Sequence, residues 1–131
     1  MPRIEITCQE LTASKRMKIA KDVTLWFAEH GSNPSHVIVH FNKDEPMSYF
    51  SNGNPLTLYG NNEGKDLGNS ISYASIVCYI HCEKNNLYMQ ELANKLKAIL
   101  SIPDSGHCVI SFVLTKPDTV FFLNSGNVIS S

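Results

Sequence analysis

The chain has 131 residues, 43% of them hydrophobic, with 11 Lys+Arg against 12 Asp+Glu and a formal net charge of −1. That length suits one domain, 1–131, with enough apolar material for a core. The near-neutral balance argues against a nucleic-acid or membrane partner, since phosphate surfaces need a clustered positive field. No stretch approaches the roughly 18 apolar residues of a membrane span. The opening Met1-Pro2-Arg3-Ile4-Glu5-Ile6 is not a signal peptide, because Glu5 interrupts what would be its apolar centre. Cys8, Cys78, Cys82 and Cys108 form no CxxC and read as reduced, mostly buried thiols of a cytoplasmic protein. His81-Cys82 and His107-Cys108 cannot each chelate one metal, because neighbours on a strand point to opposite faces; no metal site is expected.

In chain order, Arg3–Cys8 alternates Ile4, Ile6 and Cys8 with polar residues, the period of a half-buried strand. Thr12 to His30 changes to a helical period, with Met17, Ala20, Val23, Trp26 and Phe27 on one face and Lys15, Arg16, Lys18 and Lys21 on the solvated remainder. Thr12 or Ser14 can cap its start, Gly31 can end it in the left-handed region, and Pro34 prevents continuation. His36 to Phe41 is β-branched and predicts a second strand.

Phe50 to Ser70 is rich in Asn and Gly and reads as a connector with a small hairpin around Leu56-Thr57-Leu58-Tyr59. Ser72 to Cys82 is an almost unbroken apolar strand. Asn86 to Leu100 is a helix with Met89, Leu92, Ala93, Leu96, Ile99 and Leu100 on one face. Pro103-Asp104-Ser105-Gly106 breaks the chain, Cys108–Leu114 is a fourth strand, and Val120–Leu123 a short strand or hairpin. The order strand, helix, strand thus occurs twice, in 1–64 with the connector and in 65–131 with the terminal piece. Right-handed crossovers then give an α+β fold: a four-stranded mixed sheet with both helices on one face. Its other face would expose Val37, Val39 and Phe41, or Val77 and Tyr79, and a closed homo-oligomer with inward-facing sheets would bury them.

Two β-α-β units opening on Met-Pro, with a strand starting directly at the proline, resemble the tautomerase superfamily, especially its macrophage migration inhibitory factor branch. The stretches that carry the likeness are Met1-Pro2-x-Ile4, Gly31-Ser32-Asn33-Pro34 before Val37–His40, Met47–Pro55, and Leu92, Leu96 and Leu100 running into Ser101-Ile102-Pro103. The resemblance implies a homotrimer without a cofactor, acting on a small carbonyl substrate such as an α-keto acid or a phenylpyruvate-like molecule. Pro2 would be the acid–base group, provided that Met1 is removed to free its secondary amine. Burial and nearby positive charge lower an amine's pKa toward the value at which a general base works at neutral pH.

Of the family's substrate-binding positions, Ser32 stands where the inhibitory-factor branch has a lysine, and Val109 and Ser111 stand where it has tyrosine and asparagine. Ile80, His81 and Cys82 occupy the region of its substrate-binding isoleucine amide, and Phe121 or Phe122 is the terminal aromatic. Leu11 and His36 fall where 4-oxalocrotonate tautomerase carries arginines. The dehalogenase and decarboxylase members hold carboxylates with an arginine pair, whereas this chain has only Arg3 and Arg16, so simple tautomerisation ranks above them. The cations available for a carboxylate are Lys84, Arg3, His36 and His81; His40 reads as a satisfied structural histidine. The rival reading is a protein-binding or cytokine-like member with vestigial chemistry.

Overall fold

The computed structural model describes residues 2–44, 48–55 and 71–130. Strand β1 (Arg3–Cys8) leads into α1 (Ala13–Glu29), a 3-10 turn (Pro34–His36) and β2 (Ile38–Lys43). Two short strands, β3 (Phe50–Ser51) and β4 (Asn54–Pro55), pair as a hairpin. The second unit is β5 (Tyr73–His81), α2 (Asn86–Leu100) and β6 (His107–Thr115), followed by a hairpin of β7 (Phe121–Asn124) and β8 (Asn127–Ser130). The hairpin expected at Leu56–Tyr59 lies outside the described residues.

The main sheet has the order β2-β1-β5-β6, as two parallel pairs, β1·β2 and β5·β6, joined by the antiparallel pair β1·β5. This is the expected four-stranded mixed sheet. The helix ends follow the local chemistry. The Thr12 side chain accepts from the Lys15 N–H at 3.2 Å, and Gly31 adopts φ +94°, where a side chain would be strained. In the second unit the Asn85 side chain caps α2 by accepting from the Tyr88 N–H at 2.9 Å.

The core lies between sheet and helices. Ile4, Ile6 and Cys8 from β1 and Ala74, Ile76, Cys78 and Ile80 from β5 point into it, meeting Ile19, Val23, Trp26 and Phe27 of α1 and Leu92, Leu96 and Leu100 of α2. Ile19 takes a place expected of Met17, which is 59% exposed: the buried stripe of α1 is rotated slightly from the one its apolar residues suggest.

The open face differs from expectation in one respect. Val37, Val39 and Phe41 pack against the core, while Ile38, His40 and Asn42 face outward on β2. The parity is set by pairing with β1, whose Ile4 and Ile6 sit opposite Val39 and Phe41. Val77 and Tyr79 do lie on the open face, beside Arg3, Glu5, Thr7 and Ser75, so this surface is mixed and not purely apolar. His40 is exposed on it, without a hydrogen bond among the described residues, and is no satisfied core histidine.

Candidate active site

Strand directions gather the proposed site at one end of the sheet. The starts of β1 and β2 meet the ends of β5 and β6 there, and α1 ends and α2 begins over the same edge. Pro2 immediately precedes β1 and is half-buried, its carbonyl accepting from the Ile38 N–H at 3.1 Å. Continuing the registers Arg3↔Ile38 and Arg3↔Tyr79 by one residue sets Pro2 between Val37 and Ile80. Two aliphatic neighbours flank the position where the chemistry is sought.

The other candidates divide. Ser32 is half-buried just past α1, its N–H donating to the Phe27 carbonyl at 2.9 Å to close the helix end. His36 belongs to the 3-10 turn and not to a strand, because Asn33 and Pro34 start a turn that the Asn33 side chain stabilises through the Ser35 N–H at 3.0 Å. Its ring meets Phe122 at 4.6 Å. The terminal hairpin therefore comes back to the Pro2 end, and Phe122 is the ring it turns inward; Phe121 is 60% exposed.

At the end of β5, Ile80 is 2% exposed and its carbonyl accepts the Thr115 hydroxyl at 3.1 Å. The Cys82 N–H donates to the Thr115 carbonyl at 2.9 Å, which ties this amide to β6. The Cys82 side chain is exposed. His81 Nδ1 accepts from the Glu83 N–H at 3.2 Å and lies 3.8 Å from the Glu83 carboxylate. Lys84 leans toward the helices, its Nζ 4.9 Å from the Tyr88 ring centroid. Tyr88 belongs to an aromatic seal between the helices: Trp26 stacks on His30 at 3.7 Å and meets Tyr88 edge-on at 5.1 Å. His30 Nδ1 pairs with the Trp26 carbonyl at 2.7 Å, and burial pushes the Tyr88 phenol up to about 12.

Sequence reasoning missed one pairing at this end. The Arg3 guanidinium lies over the Tyr79 ring, 4.2 Å from its centroid, and 3.9 Å from the Glu5 carboxylate. Only the cross-strand register brings residues 3 and 79 together, and periodicity does not supply it.

At the opposite end of the sheet the described residues pack around Tyr73. Tyr73 is 2% exposed with the Tyr49 ring 4.7 Å away, and the Asp44 N–H donates to the Cys8 carbonyl at 2.9 Å. Burial, with a smaller contribution from Asp44, pushes the Cys8 thiol up to about 11. Burial also raises the Asp44 carboxyl, whose Oδ2 is enclosed without a hydrogen-bond partner among the described residues. An apolar groove of about 420 Å³, lined by Met17, Ala20, Lys21, Thr24, Leu25, Ala28 and Pro34, runs along α1 to the turn that follows it. Among the described residues no group of three or more His, Cys, Asp or Glu is placed to hold a metal ion, and no helix is long and apolar enough to cross a membrane.

No protein-family model matches the chain, and no curated protein matches it in sequence. Solved structures do match in shape. Macrophage migration inhibitory factor from Toxoplasma gondii superposes with a TM-score of 0.65 at 15% identity, covering 97% of this chain and 99% of that one. The F6 fused 4-OT, solved as an asymmetric trimer, gives 0.65 at 11% identity, with 95% of this chain and 94% of that one covered. N1, a member of the cis-3-chloroacrylic acid dehalogenase family, gives 0.60 at 11% identity over 86% of this chain and 75% of that one. At these identities the likeness is one of fold, and the fold is that of the tautomerase superfamily.

Proposed function

We propose that this chain is a cofactor-independent keto–enol tautomerase, acting as a homotrimer on a small α-keto acid or phenylpyruvate-like substrate, with the Pro2 amine as general acid and base. The observation that carries the reading is the seat of Pro2. It stands half-buried at the sheet end where Val37 and Ile80 flank it, Ser32 and His36 lie on the adjoining turns, and Phe122 folds back over His36. Aliphatic surroundings disfavour the ammonium form and keep the amine usable as a base. The anchored strand and the proline ring hold its nitrogen in one place. The neutral amine takes a proton from the carbon beside the substrate carbonyl, the released electron pair forms the C=C bond, and the carbonyl oxygen becomes the enol oxygen. The ammonium then gives that proton to this oxygen, an enolate until then, to complete the enol, and the reverse sequence ketonises an enol.

Trimerisation is supported by the fused 4-OT, solved as a trimer, and by the open sheet face, where Ile38, Val109 and Val113 are exposed. A second reading, a tautomerase fold used for protein binding, is favoured by the apolar groove on α1, with Met17 and Leu25 both 59% exposed. Ketonisation of enol-phenylpyruvate, followed by ultraviolet absorbance on protein shown by mass spectrometry to lack Met1, separates the two. Pro2→Ala should lower kcat/KM by at least about 100-fold, the usual contribution of a positioned acid–base group. No activity above buffer from a trimeric, Met1-free sample would favour the binding reading.

A further inference from the structure

The joint between the two helices holds groups that the Pro2 chemistry does not use. Trp26 and His30 stand one turn apart at the end of α1, and Tyr88 and Glu91 lie in the first two turns of α2. The His30 ring stacks on Trp26, centroids 3.7 Å apart and planes 18° from parallel, with the Tyr88 ring edge-on at 6.2 Å. Its Nδ1 lies 2.7 Å from the Trp26 carbonyl. A carbonyl only accepts, so Nδ1 carries the proton and the neutral ring keeps its lone pair on Nε2. That second nitrogen lies 3.9 Å from the Glu91 carboxylate.

Each contact of this ring strengthens when Nε2 takes a second proton. A lone pair opposite a carboxylate becomes an ion pair. The face of the stacked indole attracts a cation. The carbonyl end of α1, which has no basic residue in its last turn, gains a positive charge at its cap. The other ionisable groups around the joint offer Glu91 no competing partner. Lys84 lies over the Tyr88 ring at 4.9 Å, and the Tyr88 phenol is pushed up to about 12 by burial, with a smaller part from Cys78. Glu29 and Lys95 border the neighbouring recess beside Trp26 and form no ion pair among the described residues.

We propose that His30 is a proton-operated clasp: protonated at Nε2, it fastens the end of α1 to the start of α2 through Glu91, and deprotonated it releases that pair. Imidazole is the side chain whose charge ordinarily changes between pH 5 and 8, so the clasp closes on mild acidification. The chain passes from His30 through Gly31 to Ser32, whose N–H returns to the Phe27 carbonyl at 2.9 Å, so the clasp steadies the turn at the Pro2 end of the sheet. The inference does not depend on the tautomerase reading.

Trp26 is the one tryptophan of the chain, so its emission reports on this joint alone. An imidazolium in contact with an indole quenches it more than the neutral ring does. Emission is followed from pH 8.0 to pH 5.5 in the wild type and in His30→Gln: the wild type should dim as pH falls, and the variant should not. Urea unfolding at the two pH values, at one protein concentration, tests the fastening. Glu91→Gln should raise the unfolding equilibrium constant by about two- to fivefold over the wild type at pH 5.5, the size of a partly exposed ion pair, and leave it unchanged at pH 8.0. An effect of Glu91→Gln that is equal at both pH values, or absent at both, overturns the clasp. Wild-type emission that ignores pH, or that responds equally in His30→Gln, overturns the stacked cation on which it is built.

Discussion

The two ends of the sheet are built by the same rule and used differently. Because β1 and β5 run antiparallel about the pair Ile6↔Ile76, the first strand of each β-α-β unit starts at opposite ends. At one end β1 starts with Pro2, half-buried between aliphatic neighbours and leading to Arg3. At the other β5 starts with Tyr73, 2% exposed, with Tyr49 against it and Gly106 close by. A Cβ on Gly106 would stand 2.9 Å from Ile102 Cγ2 and 3.1 Å from the Ser72 carbonyl, so the chain packs closely around the start of β5. The repeat makes two equivalent places, and the proposed base stands at the one that carries Pro2. The other is free to be packed, and it stabilises the molecule.

That contrast can be broken at either end. The largest effect expected is on catalysis: Pro2→Ala should remove most of the activity while leaving the urea midpoint close to wild type, because Pro2 contributes little to the core. The converse is Tyr73→Ala. Truncating this enclosed ring should cost about 3 to 5 kcal/mol, read by urea unfolding, with the activity of the remaining folded protein unchanged. A loss of activity in folded Tyr73→Ala protein would show that the Tyr73 end also serves the chemistry.

A smaller effect sharpens the energetic side. Burial holds the Cys8 thiol at about 11 and, with a lesser contribution from Cys108, the Cys78 thiol at about 12, both above the ordinary 9.0. Both folded values exceed the unfolded one, so the folded state retains protons that the unfolded chain releases. The associated stability is complete below pH 9 and is lost as pH rises toward 11 and 12, by on the order of 1.4 kcal/mol per unit for each thiol. The urea midpoint should therefore fall between pH 8 and pH 10, and fall less steeply in Cys78→Ala.

Much of the architecture could be read from the residues. Thr12, Gly31 and the Asn86–Leu100 stripe mark their helices because caps and the 3.6-residue period are local features. What the sequence left open was decided between strands. Alternation sorts Val37, Val39 and Phe41 from Ile38 and His40, but only pairing with β1 says which set meets the helices. His36 read as strand because it adjoins a β-branched run, yet the Asn33-Pro34 turn extends through it. In the candidate site Pro2, Ser32 and the end of β5 were expected from the family resemblance, and strand pairing brings Pro2 and the end of β5 to one edge of the sheet. The pairs Arg3–Tyr79 and His36–Phe122 were not, since each joins residues that only the completed sheet and the returning hairpin bring together.

The central claim is that a free amine on Pro2, and not merely a proline ring at that place, carries the chemistry. It is tested most directly by adding one alanine before Pro2, which turns the amine into an amide while every side chain stays the same. Ketonisation of enol-phenylpyruvate by this extended protein, beside the Met1-free chain, should fall to the buffer rate with the fold and oligomeric state retained. Undiminished ketonisation by the extended protein would contradict the account and place the working acid–base group elsewhere.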